Sequence, residues 1–317
     1  MKAEIISVGT ELLMGDITDT NSSKIARELL SIGIGTYHMQ TVGDNPARIK
    51  EALVHAAKRS DLIILTGGLG PTQDDITKQV AADFLGDELV EDKAQIDKII
   101  SEYKKRGKVP TEMVHREALT FKRGETLFND VGLACGCAAE LKNAGKMTRH
   151  LILLPGVPYE MAYMLENEVK PYLRRHAEKE TVIESLFMNF NDIGEPQVAE
   201  ALDEQIQSQA NPTIAIYAKP RHITVRISAK AADSKTASRM NQQAADRILE
   251  KLSEQFIGYG EEQTIETHVV ELMKREKVTL SVAEEFTAGD IMSTLTKVAG
   301  VSSVFTGGLV TLTDQTR

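Results

Sequence analysis

The residues best able to do chemistry stand in Thr66-Gly67-Gly68-Leu69-Gly70-Pro71-Thr72-Gln73-Asp74-Asp75-Ile76-Thr77. Glycines 67, 68 and 70 let backbone approach a ligand closely, and a helix starting at Asp74 offers unpaired N–H groups with a partial positive charge. Together they suit a phosphate or pyrophosphate. Asp74 and Asp75 admit two readings. As helix caps they stabilise the helix by ~1 kcal/mol. As functional groups they hold a divalent cation against the phosphate or move a proton. A second cluster follows the first apolar run: Gly9-Thr10-Glu11-Leu12-Leu13-Met14-Gly15, then Asp19-Thr20-Asn21-Ser22 opening a helix, where plain capping is the simpler role. A third, Pro155-Gly156-Val157-Pro158-Tyr159-Glu160-Met161, reads either as another wall of a site or as a proline-stiffened turn into a helix.

Alternating strands and helices must position these turns. Ala3–Val8 reads as a strand, and Asn21–Ile32 as a helix through Ile25, Ala26, Leu29 and Leu30. Gly35–Val42 reads extended, Pro46–Ser60 helical, and Leu62–Thr66 as a buried strand. A helix from Asp74 stops at Gly86, and the strand Leu151–Leu154 feeds a helix over Tyr159–Leu173. Short loops between alternating elements imply an α/β fold: a doubly wound, mostly parallel sheet with ligands at the carboxyl ends of its strands. The turns at 9 and 67 then share one crevice. Residues 87–107 are charged and amphipathic and read as a solvated helical face.

Three domains are expected: 1–175, a small α+β unit over 176–257, and an incomplete α/β segment over 258–317. In the second, Glu184–Phe190 is extended, Glu195–Gln209 helical, Thr213–Ala218 and His222–Lys230 are strands, and Ser234–Phe256 is a long helix. In the segment 222–230, Ile223, Val225, Ile227 and Ala229 alternate with polar residues, the mark of a sheet with one wet face.

Composition narrows the partners. Of 317 residues, 37 are Lys or Arg and 46 Asp or Glu, a net charge of −9 that argues against non-specific binding to nucleic acid or an anionic membrane. Hydrophobic residues make up 42% and charged residues 26%, enough apolar content for folded domains. The opening stretch does not read as a signal peptide and the apolar runs are far short of a membrane span, so a cytoplasmic protein is expected. Cys135 and Cys137, one residue apart without nearby His, make a poor metal site and read as reduced side chains.

The motifs GTELLMG, DTNS, TGGLGPTQDDIT and PGVPYEM, in this order, resemble the molybdopterin-binding-type (MogA/MoaB-like) domain at the N-terminus of the competence-damage-inducible CinA family. The stretch Asn211-Pro212-Thr213-Ile214-Ala215-Ile216-Tyr217-Ala218-Lys219-Pro220 is similar to that family's KH-like connecting domain. The resemblance implies metal-dependent hydrolysis of ADP-ribose to AMP and ribose 5-phosphate, a small-molecule nucleotide substrate, a divalent cation (Mg, Mn or Co) and a homodimer. Asp75, Asp74 and Glu11 are the catalytic and metal-holding candidates. Gly9, Thr10, Asp19, Asn21, Gly67, Gly68, Gly70, Thr77, Pro155, Gly156 and Glu160 are the binding candidates. Within them, N–H groups of Gly67, Gly68 and Gly70 are expected to hold the pyrophosphate, and Asn21 with the 155–160 turn to orient the nucleotide.

The chain also departs from the pattern. Where relatives read Asn-Pro-x-Gly-x-Ala-Pro-Gly, it has Asn129-Asp130-Val131-Gly132-Leu133-Ala134-Cys135-Gly136, and without both prolines a looser loop is expected. Between 180 and 257 the only glycine is Gly194, so no GxxG loop is available and nucleic-acid binding is disfavoured. The C-terminal stretch resembles the start of the family's nicotinamide-nucleotide amidase domain. There Ala283-Glu284-Glu285-Phe286-Thr287-Ala288-Gly289 puts Glu285 at the serine nucleophile, and Leu312 and Arg317 replace the assisting tyrosine and lysine. That activity is expected to be lost, and too few strands are expected for an independent core there. Two other readings stay open: a ligand-binding or scaffold protein without turnover, and molybdopterin adenylyl transfer, which the long extra domains weaken.

Overall fold

Short apolar runs rich in Ile, Leu and Val become strands here because each run finds helices to bury it on both faces of a sheet. The computed structural model describes residues 1–141, 150–176 and 181–311, and the chain divides into two compact units, Met1–Val182 and Ile183–Arg317. The first unit opens with β1 (Lys2–Val8), α1 (Thr10–Met14), α2 (Thr20–Ser31), β2 (Gly35–Val42), α3 (Pro46–Ala57) and β3 (Leu62–Thr66). There follow α4 (Thr77–Leu85), β4 (Leu89–Glu91), α5 (Lys93–Lys105), β5 (Leu119–Phe121), β6 (Glu125–Leu127) and β7 (Gly136–Glu140). It closes with β8 (His150–Leu154), α6 (Pro158–Met164) and α7 (Lys170–His176), the two helices joined by a π-helical turn at Leu165–Val169.

The main sheet runs β2-β1-β3-β8-β7-β6. β1 is parallel to β2 and β3, and β3 to β8, while β7 and β6 close the far edge antiparallel. The expected α/β class with a parallel-dominated sheet is therefore the observed one. Alternation builds its two cores. On one face Ile6, Ile63, Leu65, Leu151 and Leu153 meet Ile49 and Leu53 of α3 and Val80 of α4. On the other, Ile5, Leu62, Ile64, Ile152 and Leu154 meet Ile25 and Leu29 of α2 and Met161 and Met164 of α6. Each such fully buried side chain contributes roughly 1.5–3 kcal/mol. Cys135 and Cys137 are free and buried, and burial pushes the Cys135 thiol up to about 12.

At the amino end of β1 the sheet buries a charge. Glu4 is fully buried, and its carboxylate accepts from Arg59 Nη2 at 2.6 Å, Arg59 Nε at 3.0 Å, Ser60 Oγ at 2.9 Å and Gln40 Nε2 at 2.9 Å. Burial raises its pKa, but the hydrogen bonds from Arg59 and Ser60 and the Arg59 charge outweigh that and leave it below the ordinary value.

In the second unit the strands β9 (Val182–Phe190), β10 (Thr213–Ala218), β11 (Ile223–Ala231) and β12 (Phe256–Tyr259) form a sheet in the order β10-β11-β9-β12. Helices α8 (Glu195–Gln207) and α9 (Ser234–Leu252) bury Val198, Leu202, Ala245 and Ile248 against Met188, Phe190, Val225 and Ile227. The expected long helix thus ends at Leu252, because Phe256 is drawn into β12, where its ring lies 5.7 Å from that of Phe190. Beyond it, α10 (Ile265–Glu276), β13 (Leu280–Glu284), α11 (Asp290–Leu295) and β14 (Phe305–Val310) surround a small cluster of Val270, Met273, Leu295, Val301 and Val304. β13 and β14 pair parallel; Glu285 and Phe286 follow β13, and Leu312 and Arg317 lie outside the described residues.

The Glu4 network generates a stability test. Arg59→Ala removes two donors from a buried carboxylate and is expected to cost about 2 kcal/mol, lowering the first unit's melting temperature by roughly 4–8 °C. An unchanged melting curve would show that the network holds nothing.

Candidate functional site

Strand register sets the site. Ser7 of β1 pairs with Thr66 of β3, and Thr66 with Leu154 of β8, so three parallel strands end level with one another. The turns that follow must therefore meet. A Cβ on Gly156 would lie 3.3 Å from the Cα of Gly67, and one on Gly67, at φ 106°, would collide with the Val8 carbonyl oxygen. Glycine at 67 is required both by that contact and by its backbone angle.

These turns enclose a cavity of about 830 Å³, within the range of small-molecule sites. Asp74 and Asp75 line it together with Gly9, Glu11, Asp19 and Asn21 from the first turn. Gly67, Gly68 and Gly70 line it from the second, and Pro155, Gly156 and Glu160 from the third. Two expected members do not. Thr10 turns to Asp44, its N–H and hydroxyl both donating to Asp44 Oδ2 at 2.9 Å. Thr77 is fully buried beneath Gly68, and its hydroxyl has no partner.

Accounting for the backbone donors changes the cradle. The Gly67 N–H is already spent on the Leu154 carbonyl at 3.0 Å, so it is not a phosphate donor. The N–H groups of Gly68 and Gly70 make no hydrogen bond to the described residues. The helix behind the turn begins at Thr77 rather than Asp74, and its Ile76 cap makes no side-chain bond. Asp74 and Asp75 therefore do not cap it. Both turn instead to Thr72, whose Oγ1 lies 2.5 Å from Asp74 Oδ1 and 2.5 Å from Asp75 Oδ2. Gly70 makes room for this, since a Cβ there would lie 2.6 Å from Asp75 Oδ2. The Thr72 hydrogen bond, and then its own backbone N–H, hold the exposed Asp74 carboxyl below its ordinary range.

Asp19 and Asn21 mainly brace the walls. Asp19 accepts from Ser7 Oγ and Ser22 Oγ at 2.6 Å each and from Ser22 N–H at 3.0 Å; burial raises its pKa, but these bonds leave it lowered. Asn21 Nδ2 donates to Thr66 Oγ1 at 3.1 Å and to the Gly156 carbonyl at 2.8 Å, tying all three turns together. The loop expected to be loose is also braced. Fully buried Asn129 donates to Ala134 O at 2.9 Å and Glu160 Oε2 at 2.7 Å, and accepts from Gly132 N–H at 2.8 Å. Gln95 Nε2 donates to Leu133 O at 2.6 Å and Lys98 Nζ to Gly132 O at 2.7 Å. Side-chain hydrogen bonds take the place of the missing prolines.

Nine carboxylates line the cavity, those of Glu11, Asp19, Asp44, Asp74, Asp75, Glu102, Glu117, Asp130 and Glu160, against two cations, Lys98 and Arg106. Lys98, Glu102 and Arg106 come from α5 and the residue after it, the stretch read above as a solvated face, so that reading was incomplete. The exposed half of an amphipathic helix carries no signal of which side meets a cavity. Among the described residues no group of three or more His, Cys, Asp or Glu side chains is close enough to hold a metal ion. Glu11 therefore does not complete a three-carboxylate cluster with Asp74 and Asp75, which remain a pair. Two carboxylates alone still suit a hard cation that takes its other ligands from water and phosphate oxygens. Glu117 was not foreseen. Burial raises its carboxyl to about 7; Lys78 opposes this, and the charges of Glu160 and Asp75 add to it.

The first unit thus combines a parallel-dominated sheet with a glycine turn and paired acids at its strand ends. Residues 4–175 match the family model "Probable molybdopterin binding domain", 186–258 the "Damage-inducible protein CinA KH domain" and 262–317 the "CinA C-terminal domain". A competence-damage inducible protein of Listeria monocytogenes is 41% identical over 99% of this chain and 75% of its own length. One of Alkaliphilus oremlandii is 40% identical over 100% and 75%. The chain belongs to the competence-damage inducible protein CinA family. Among solved structures, CinA of Thermoplasma acidophilum aligns with 54% of this chain and 96% of its own at 32% identity and a TM-score of 0.47. No helix among the described residues is long and apolar enough to cross a membrane.

Glu117 makes stability depend on pH. Its folded pKa lies above the ordinary value, so its neutral form favours the fold below the usual carboxylate range, and that contribution is lost as pH rises through about 7. Metal-free native protein is expected to lose roughly 2–5 °C more in melting temperature between pH 5.5 and 8.5 than Glu117→Gln does. Parallel curves for the two proteins would contradict the assignment.

Proposed function

We propose that the first unit hydrolyses the pyrophosphate of ADP-ribose to AMP and ribose 5-phosphate with a divalent cation. The observation that carries this reading is the meeting, in one acid-rich cavity, of unpaired N–H groups on Gly68 and Gly70 with the Asp74–Asp75 pair. An anionic ligand facing nine carboxylates and two cationic side chains enters favourably only with positive charge of its own. Asp74 and Asp75 would hold that charge as Mg²⁺, Mn²⁺ or Co²⁺, which when bound offsets the charge that develops on the phosphoryl oxygens. Gly68 and Gly70 N–H groups bind the diphosphate, and Asn21, the Gly156 turn and the braced 129–134 loop shape the walls around it. In the reaction a water oxygen joins one phosphorus, the bridging P–O bond breaks, the bridging oxygen leaves with the other phosphate, and the water's protons pass to solvent. CinA-family membership supports this choice of substrate.

Purified protein with excess Mg²⁺, Mn²⁺ or Co²⁺ is expected to release AMP from ADP-ribose, and Asp75→Asn to reduce turnover by at least ~100-fold with an unchanged melting curve. Failure of all three metals to give AMP would end the proposal. Among the described residues no third carboxylate joins Asp74 and Asp75 in a cluster, which favours a second reading, ligand binding without turnover. Calorimetry that finds ADP-ribose bound but no product with any metal would select it. With Glu285 at the nucleophile position of the amidase-like segment, no ammonia is expected from nicotinamide mononucleotide, and a coupled ammonia assay checks this.

A further inference from the structure

Two glutamates of the first unit are buried in opposite ways. Glu4 collects donors from Arg59, Ser60 and Gln40. Glu117, at the end of a short 3₁₀ segment (Glu112–Ala118), is only 8% exposed, yet its carboxyl makes no hydrogen bond to the described residues. Its main chain is well held, the carbonyl accepting from Cys135 N–H at 2.9 Å and Lys78 Nζ at 2.8 Å. The side chain lines the cavity. A well-held backbone thus presents to the cavity a carboxyl with no partner among the described residues. A carboxyl so nearly buried, open only to the cavity and without a donor among the described residues, is placed to take a partner from the cavity side.

The surrounding groups decide what Glu117 can offer. Asp75 on the glycine turn and Glu160 on α6 are negative. Lys78 on α4 is positive, but its ammonium is spent on the Glu117 carbonyl and lies 3.7 Å from the Cys135 thiol. Cys135 is pushed up to about 12 and stays uncharged near neutral pH. Arg116, the neighbour in sequence, donates to the Asp75 carbonyl. None of these gives Glu117 a donor. An ionised diphosphate carries only acceptors on its phosphoryl oxygens, so an ionised Glu117 would repel it.

We propose that Glu117 is a ligand-binding residue whose carboxyl, in its protonated form, donates a hydrogen bond to an anionic oxygen of the diphosphate, so that binding takes up a proton. The inference rests on the reading of the cavity as a diphosphate-nucleotide site. A neutral carboxylic acid is one donor that can face phosphate without adding a fixed positive charge, and O–H···O⁻ bonds are short and strong. In the protein without metal, burial together with the charges of Glu160 and Asp75 brings the carboxyl up to about 7, which puts its neutral form within reach near neutral pH. Affinity for any diphosphate diester should therefore fall as pH rises above about 7, whereas a lysine or arginine at this place would hold it to much higher pH.

The test is calorimetric titration of the full chain with the non-hydrolysable α,β-methylene analogue of ADP-ribose, with Mg²⁺, from pH 6 to 8.5. The native protein is expected to weaken roughly 10–30-fold across that range and, at pH 7.5 in buffers of differing ionisation enthalpy, to take up most of one proton. Glu117→Gln, which keeps a neutral donor, should bind at pH 8.5 more tightly than the native protein, with a flat profile and no proton uptake. A flat native profile, or an equal slope in Glu117→Gln, overturns the role of Glu117 while leaving the diphosphate site intact. Absence of binding by the native protein at every pH overturns the diphosphate reading and this inference with it. The native profile alone decides if the variant fails to fold.

Discussion

One constraint organises the first unit: the shared height at which β1, β3 and β8 end. Parallel strands in register from Ser7 to Thr66 to Leu154 deliver their exits to one edge, and every exit is a turn rather than a straight continuation. Gly67 sits between the Val8 carbonyl and Gly156 with no room for a side chain, so the three turns pack backbone to backbone. The two hydrophobic layers hold the strands at that height. A slip of one residue in β3 would exchange Ile63 and Leu65 with Leu62 and Ile64 between the layers, and would also pull the glycine turn away from its neighbours. Core packing and site geometry are thus a single commitment.

Within that frame the polar side chains divide their work. Asp19, Asn21 and Glu160 line the cavity and Asn129 lies buried behind it, and all four hydrogen-bond to neighbouring segments. They make the walls stiff, which lowers the cost of ordering them around a ligand. What remains unspent among the described residues is the N–H groups of Gly68 and Gly70 and the negative charge of Asp74 and Asp75, which share one Thr72 hydroxyl. Their opposite signs beside one another are the reason a cation belongs in the reading. Donors alone would suit an anion, and acids alone would suit a metal. The pair suits a metal-bound anion.

Much of this is legible in the sequence, for a physical reason. Buried strands such as Leu62–Thr66 announce themselves by composition, and glycine-rich turns by residues that few other conformations require. What was not legible depended on partners distant in sequence. The Gly67 N–H is lost to Leu154, and nothing near residue 67 says so. Asp74 and Asp75 look like helix caps until Thr72 is seen to take them and the helix is seen to begin at Thr77. The loop at 129–134 looks weakened without prolines, because proline stiffness is local while the support from Gln95 and Lys98 comes from another element. Lys98 itself sits on a helix whose charge pattern is that of any solvated face.

The contrast between Glu4 and Glu117 shows how far environment outweighs residue type. Both are buried glutamates of the first unit, Glu4 on β1 and Glu117 on the 3₁₀ segment before β5, and for both the cost of burial is the largest influence on the carboxyl. At Glu4 that cost is offset by four hydrogen bonds from three side chains, the charge persists, and the group serves stability. At Glu117 it is not offset, because Lys78 contributes only its charge at a distance while its hydrogen bonds go elsewhere. A fold selected for stability alone would gain from giving Glu117 a donor or from replacing it by an apolar residue. The side chain instead lines the cavity without a donor among the described residues, so the cost of burying it is left uncompensated within the first unit.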